Sequence, residues 1–499
     1  MLIERDEIGM IPVLRASTKQ MTSADFLPLD EARSHILEQG RSALLVDLSG
    51  VRKITKSGIG ALAEFATSFP HGFLSGFVAP PSRIAETISG SPLGSLIPLF
   101  SSQAQAIDTQ AFRRHRLAGT QAVVLCAGAG SRMAPLTQTL PKPMLDFLGK
   151  PILDHILDHL GSFGIRDIFL NPGHNGHVIH QHFAGPRART LFFLNEGRKS
   201  GGVWQADPLG SASTLARFYH RHNAFTDDFF VLCGDALIDL DLAAMHDQHR
   251  RTGAMITIAA RRVPSSDTHK YGMIATGADG RITAFQEKPQ PDQACSDLAS
   301  TGVYLMNPAL FDLVEDTPGQ DIGTDLLPLL LKQGVPLHAY DSAFSWTDIG
   351  CGQDFASALF KALDQGVPGA SPTGREIRPG LWAAEGARIS PEARIEGACY
   401  VGRNAIIAEG AHIEGPAVIG DNCHIEGQSL IRKSILFPDT YVRANAWVDR
   451  MIASGGWAVA HEYADGKPRS AAPLERVGPL PRPQAGRQTT RIMRAGGAK

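Results

Sequence analysis

Cysteine is scarce and scattered in this chain. The six residues, Cys126, Cys233, Cys295, Cys351, Cys399 and Cys423, include no CxxC pair. That excludes a disulfide framework and suits free thiols in a reducing compartment. Net charge is nearly absent too: 48 Lys and Arg against 50 Asp and Glu leave −2 over 499 residues. No global field therefore favours nucleic acid or an acidic membrane surface, and neither is expected as a partner. No apolar run is long enough to span a bilayer. The start, MLIERDEIGM, is charged and lacks the apolar stretch of a signal peptide. The cytoplasm is the expected compartment. The remainder is ordinary for globular chains, with 43% hydrophobic residues and a length suited to about three domains.

The richest stretch is VVLCAGAGSRMAPLTQTLPKPMLDFLGKPIL, from Val123 to Leu153. It reads as a buried strand followed by a glycine loop whose free N–H groups can cradle phosphates. Arg132 follows the loop, and Lys142 is held between Pro141 and Pro143. Glycines and two cations after a strand suggest a nucleoside triphosphate site. A Walker A loop, GxxxxGK[ST], is absent, and Met133 stands where a dinucleotide fingerprint needs its third glycine.

The string resembles the signature of sugar-1-phosphate nucleotidyltransferases. The match runs through Ala127, Gly128, Gly130, Arg132, Met133, Pro135, Leu136, Thr137, Pro141, Lys142, Pro143, Gly149, Lys150 and Pro151. Further family landmarks follow in order: Pro208–Ala212 (PLGSA), Gly234-Asp235, Tyr271-Gly272, Glu287-Lys288-Pro289, Ser300–Tyr304 (STGVY) and Trp346–Gly350 (WTDIG). The resemblance implies transfer of a nucleotidyl group from an NTP to a sugar 1-phosphate, releasing pyrophosphate. Such chemistry needs carboxylates for Mg²⁺, cations for phosphate and in-line geometry, and no protein nucleophile. By that match Arg132, Lys142, Asp235 and Asp348 are the expected catalytic residues, with Asp235 and Asp348 as Mg²⁺ ligands. Glu287 is expected on sugar hydroxyls and Lys288 on the sugar phosphate. Gly128, Gly130, Ser131, Gly210, Gly272 and Gly302 complete the expected substrate contacts. Departures include Ala134 for a frequent arginine, Ala236 after the metal aspartate, Ser213 for a glycine, and an insertion, GRKSGGVWQAD, after Glu196.

The central domain is expected over 120–366 as doubly wound α/β, with strands near 122–126, 167–170, 190–194, 229–233, 255–261 and 302–306. Its histidines His174, His177, His180 and His182 read as an exposed helix rather than a metal site. Residues 1–110 read as a small α/β domain: a strand over Ala43–Leu48, a helix from Ser57 ending near Ser68, a strand over Gly72–Val78, and a helix from about Pro81. VDLSGVRKITKSGIGAL resembles the core of STAS domains, the anti-sigma factor antagonists. That likeness implies phosphorylation of Ser57 at a helix N-terminus and an anti-sigma-type kinase as partner. The plainer reading makes Ser57 an N-cap. Thr55-Lys56 departs from the family's Asp-Ser.

Ile389, Ile395, Val401, Ile407, Ile413, Ile419, Ile425 and Ile431 recur every six residues. Neither a helix nor a flat strand has that period, whereas a parallel β-helix does. The string resembles the left-handed hexapeptide-repeat helix, expected over 375–465. After Ile431 the register slips by one, and Leu436, Val442 and Val448 suggest a last coil. Residues 466–499 are rich in Pro, Arg and Gly and are expected to be disordered.

A nucleotidyltransferase joined to a β-helix resembles mannose-1-phosphate guanylyltransferases, which points to GDP-mannose. The loop fits uridylyl- and thymidylyltransferases equally. A third reading makes the central domain a nucleotide-sugar sensor acting through the STAS-like domain. A homo-oligomer is expected through the β-helix.

Overall fold

A computed structural model describes residues 1–186, 189–222, 224–313, 317–460 and 477–479. Contacts divide the chain into two units. One holds Met1–Ser131, Leu136–Leu145 and Pro151–Asp348. The other holds Arg132–Pro135, Asp146–Lys150 and the chain from Ile349 onward.

The first unit opens with five strands in sequence order: β1 (Leu2–Ile8), β2 (Ile11–Thr18), β3 (Ala43–Val51), β4 (Leu74–Val78) and β5 (Leu99–Phe100). β1 and β2 are antiparallel, and the rest are parallel neighbours. Alternation along β3 gives the sheet two apolar faces. Leu44, Val46 and Leu48 pack with α1 (Phe26–Glu38), α2 (Lys56–Thr67) and α3 (Ser82–Ser89). Ala43 and Leu45 face the opposite core, with Ala106 of α4 (Gln103–Asp108) and Phe112 of α5 (Gln110–Arg113). The α2 N-cap is Thr55, whose hydroxyl accepts from Gly58 N at 3.0 Å. Ser57 is therefore not the cap; it is exposed in the first turn, with Oγ 3.0 Å from Thr55 Oγ1.

The central sheet has nine strands. Four are parallel: β6 (Gln121–Leu125), β7 (Asp167–Leu170), β8 (Thr190–Phe193) and, on the other side of β6, β11 (Phe229–Cys233). Ala122, Val123 and Val124 are fully buried, as expected of a central parallel strand covered on both faces. Helices α6 (Ile152–Ser162), α7 (Gly176–His182), α8 (Ser211–His222) and α9 (Leu242–Thr252) connect or flank these strands. The doubly wound expectation describes this half only. β16 (Leu298–Met306) runs antiparallel to β11, and β13 (Ile256–Arg262) is antiparallel to β16 and parallel to β17 (Leu337–Asp341). The hairpin of β14 (Gly272–Thr276) and β15 (Ile282–Glu287) extends the same sheet. Two small pairs lie apart: β9 (Gly197–Ser200) with β10 (Val203–Ala206), and β12 (Ala236–Ile238) with β18 (Trp346–Asp348). The apparent insertion is thus a hairpin, anchored by Trp204 Nε1 donating to Gly173 O at 2.6 Å.

In the second unit, α10 (Gly352–Gln365) precedes stacked parallel strands forming the faces of a β-helix. Ile395 aligns with Ile413, and Ile413 with Ile431, a step of eighteen residues per coil. Beyond Ile431 the step is seventeen: Ile431 aligns with Val448 and Ile425 with Val442. The core is the column expected from the period, with Val401, Ile407, Ile413, Ile419, Ile425, Ile431, Leu436, Val442 and Val448 buried together. At one corner Asn404 Nδ2 donates to Asn422 Oδ1 (3.3 Å), and Asn422 Nδ2 to Asp439 Oδ1 (3.0 Å). These three residues hold left-handed backbone, which short amide and acid side chains tolerate. The tail expected to be disordered lies outside the described residues, apart from Val477–Pro479. Those three pair antiparallel with Thr440–Val442, and Val477 packs on the β-helix core.

Candidate active site

β6 ends at Leu125 and β11 at Cys233, side by side and parallel. Their carboxyl ends place Cys126–Gly130 next to Gly234-Asp235, where ligands of open α/β sheets bind. Gly234 N donates to Leu125 O at 2.9 Å, fastening the two ends. Gly130 has φ +60, and a Cβ there would stand 3.1 Å from Thr137 Cγ2 and 3.2 Å from Lys142 Cβ. Thr137 Oγ1 donates to Gly130 O at 2.9 Å, folding the loop back onto the lysine segment.

Lys142 is buried, 7% exposed, and its Nζ lies 2.6 Å from Asp235 Oδ2. A buried ammonium needs such a partner. The Asp235 side chain is 35% exposed. The β12–β18 pairing sets Asp348 opposite Ala236, next in sequence to Asp235. Desolvation, then the carboxylates of Asp235 and Asp348, push the Cys233 thiol up, while Lys142 opposes them. Glu287 adds to the same field. Lys142 pairs with Asp235, and Asp348 stands opposite the next residue, Ala236, so these three groups lie near the end of β11.

Glu287 pairs across the hairpin with Gly272 and forms an ion pair with Lys288 Nζ at 2.8 Å. Tyr271 and Trp346 rings meet at 4.7 Å beside it. Gly302 has φ +74, and a Cβ there would fall 2.7 Å from Cys233 Sγ, so β16 passes this close only as glycine. Gly210 opens α8, and Ser211 N donates to Asp321 Oδ1 at 2.9 Å. Gly128 and Ser131 are exposed in the loop. Arg132 is exposed and counts with the second unit.

Sequence reasoning missed a buried acid. Glu196, 2% exposed, accepts from Asn171 Nδ2 (2.6 Å), from Leu209 N (2.9 Å) and from Thr214 Oγ1. Asn171 Oδ1 in turn accepts from Cys126 N at 2.6 Å. The glycine loop and the PLGSA segment thus hang from one carboxylate. The only signal was a lone Glu before the insertion, which spacing does not flag.

Three of the four histidines find separate partners. His174 Nε2 meets Thr137 O (2.8 Å), His180 Nε2 meets Asn195 Oδ1 (2.6 Å), and His182 Nε2 meets Asp154 Oδ2 (2.8 Å). Among the described residues no group of three or more His, Cys, Asp or Glu could hold a metal alone. No helix among them is long and apolar enough to cross a membrane.

The nucleotidyl transferase family model matches residues 121–365, and the bacterial transferase hexapeptide model (six repeats) matches residues 398–433. Fold and match together define a nucleotidyltransferase. A UTP–glucose-1-phosphate uridylyltransferase of Synechocystis is 35% identical over 66% of this chain and 87% of its own length. A mannose-1-phosphate guanylyltransferase of Mycobacterium tuberculosis is 30% identical over 59% of this chain and 78% of its own. A glucose-1-phosphate adenylyltransferase of Pseudothermotoga lettingae is 28% identical over 66% and 76%. The chain belongs to the sugar-1-phosphate nucleotidyltransferases. These enzymes generally use a divalent metal ion.

Proposed function

We propose that Lys142, Asp235 and Asp348 form the reacting centre of an NDP-sugar synthase. The observation that carries this is the 2.6 Å contact of buried Lys142 with Asp235, one residue from the strand position opposite Asp348. In the reaction, a sugar 1-phosphate oxygen attacks the α-phosphorus of the NTP and pyrophosphate leaves. Lys142 neutralises charge gathering on the phosphates, held in place by prolines on both sides. Glycines 128 and 130, with Ser131, offer backbone N–H groups to the triphosphate, and Arg132 adds a cation. Glu287 takes sugar hydroxyls and Lys288 the sugar phosphate, with Gly210, Gly272 and Gly302 along the base and sugar pocket.

Two carboxylates suit Mg²⁺, which is commonly held by one or two acids together with substrate phosphates. Bound there, it supplies Lewis-acid stabilisation of the phosphate oxygens.

For substrates we rank UTP with glucose 1-phosphate first and GTP with mannose 1-phosphate second. This reverses the order suggested by the motifs, because the uridylyltransferase relative shares more of this chain's residues. The test is pyrophosphate release from a matrix of NTPs and sugar 1-phosphates with Mg²⁺. Turnover with UTP and glucose 1-phosphate at least tenfold above every other pair supports the ranking. A preference for GTP and mannose 1-phosphate restores the motif order.

Residues 1–110 are read as a STAS-like regulatory domain. Exposed Ser57 in the first turn of α2 favours this, since a phosphate there meets the helix dipole. Phosphorylation at Ser57 by an anti-sigma-type kinase is the check; modification elsewhere, with Ser57 untouched, removes the reading. Domains over 120–366 and 375–465 and a homo-oligomer complete the proposal, the latter testable by native mass.

A further inference from the structure

Four arginines from three separate segments converge on one cavity of ≈ 690 Å³. Arg113 ends α5, Arg114 follows it, Arg166 directly precedes β7, and Arg189 directly precedes β8. Asp108 and Asp158 also line it, so among the described residues the wall carries two net positive formal charges. Arg189 Nη2 lies 2.7 Å from Asp158 Oδ1, and the Arg113 guanidinium lies 5.8 Å from the Phe163 ring centre. Arg114 and Arg166 also line an adjoining cavity with Ser42, His115, Thr120 and Asp167. There, burial and then the charges of Arg166 and Arg114 hold the His115 imidazole below its usual range. Ser42 Oγ meets its Nδ1 at 2.8 Å.

The position matters as much as the charge. Thr120, Arg166 and Arg189 sit at the amino ends of β6, β7 and β8. The glycine loop leaves the carboxyl end of β6. The arginine cavity is thus at the opposite end of the parallel strands from the expected nucleotide loop, and its walls combine the amino-terminal domain's last helix with the catalytic sheet.

Gathering like charges is unfavourable unless a counter-anion offsets it. Guanidinium groups match phosphate oxygens in paired hydrogen bonds. A concave site of a few hundred Å³ admits a small molecule rather than a protein surface. We propose that this junction is a second ligand site, separate from the reacting centre, that binds a small phosphate-bearing metabolite.

The test is calorimetric titration of the full chain with ribose 5-phosphate, and separately with inorganic phosphate, at physiological salt. The site predicts saturable binding of at least one probe, retained in Asp235→Asn, and weakened at least tenfold in the Arg113→Ala/Arg114→Ala double variant. Arg114→Glu should abolish it. Unfolding temperature without ligand checks that each variant folds, and Arg189→Ala replaces any that does not. Binding of the ester alone identifies a phosphorylated sugar as the ligand class, and equal binding of both identifies free phosphate; either supports the site. No binding of either probe to the wild-type chain overturns it. So does undiminished binding in the arginine variants, or loss of binding in Asp235→Asn, which would place the ligand at the reacting centre.

Discussion

The β-helix and the catalytic sheet solve the problem of order in opposite ways. In the β-helix one aliphatic residue every six positions stacks on its copy one coil away, as Ile395, Ile413 and Ile431 do. Each contact repeats, and no single one is unique. In the catalytic sheet the decisive contacts occur once: Lys142 to Asp235, and Glu196 to Asn171, Leu209 and Thr214. Repetition stabilises a column through dispersion and apolar burial. A one-off polar node stabilises only while every partner is present.

The largest effect should come from breaking the column at its centre. Ile413→Ala in the fully buried stack should cost about 2–5 kcal/mol of β-helix stability, through lost burial and a residual cavity. Denaturant unfolding followed by Trp447 fluorescence reads it. A loss below half a kcal/mol would mean that neighbouring coils close the gap.

Glu196→Ala should follow at roughly 1–3 kcal/mol, since it strands the donors of Asn171, Leu209 and Thr214 in a buried space. Glu196→Gln should recover part of that, because its carbonyl still accepts. If Ala and Gln behave alike, the node is not what holds the loop. Activity separates the two regions further: Glu196→Ala should lower kcat/KM, while Ile413→Ala should leave it much closer to wild type.

Gly302→Ala is expected to cost about 1–3 kcal/mol, from positive φ and the clash with Cys233 Sγ. Cys233→Ala in the same chain should relieve the clash but not the backbone term. Full rescue in the double variant would show that φ does not matter.

The last effect is in pH dependence. Asp146 lies beside Asp421 and Arg403 in the second unit, and burial raises its carboxyl to about 7 despite the hydrogen bond from Gly149 N. A folded value above the unfolded one near 4 means the folded state holds the proton longer. Its contribution is therefore fully present below about pH 4 and is lost as pH rises through 7. Asp146→Asn should flatten stability across that window and leave pH 3 unchanged. An identical pH profile in the variant would assign the slope to other groups.

The comparison also explains what the sequence could disclose. The β-helix was legible to the residue, including the slip after Ile431, because period alone specifies it. Lys142, Asp235, Asp348 and Glu287 stand in the string as ordered motifs, although the contact of Lys142 with Asp235 was not readable from spacing. Glu196 and Asn171 were hidden because their partners come from distant segments, and a buried acid looks like any other in a string. The antiparallel β16 was hidden because apolar runs do not record direction. Thr55 rather than Ser57 caps α2 because one residue of offset decides which hydroxyl reaches Gly58 N.

The most direct test of the reacting centre is the turnover of Asp235→Asn with the best substrate pair, alongside circular dichroism and unfolding temperature. The account predicts a fold like wild type and a loss of kcat of roughly 100-fold or more, the scale of removing a charge-stabilising group. A folded variant turning over within threefold of wild type would contradict it, and would move the chemistry away from the end of β11.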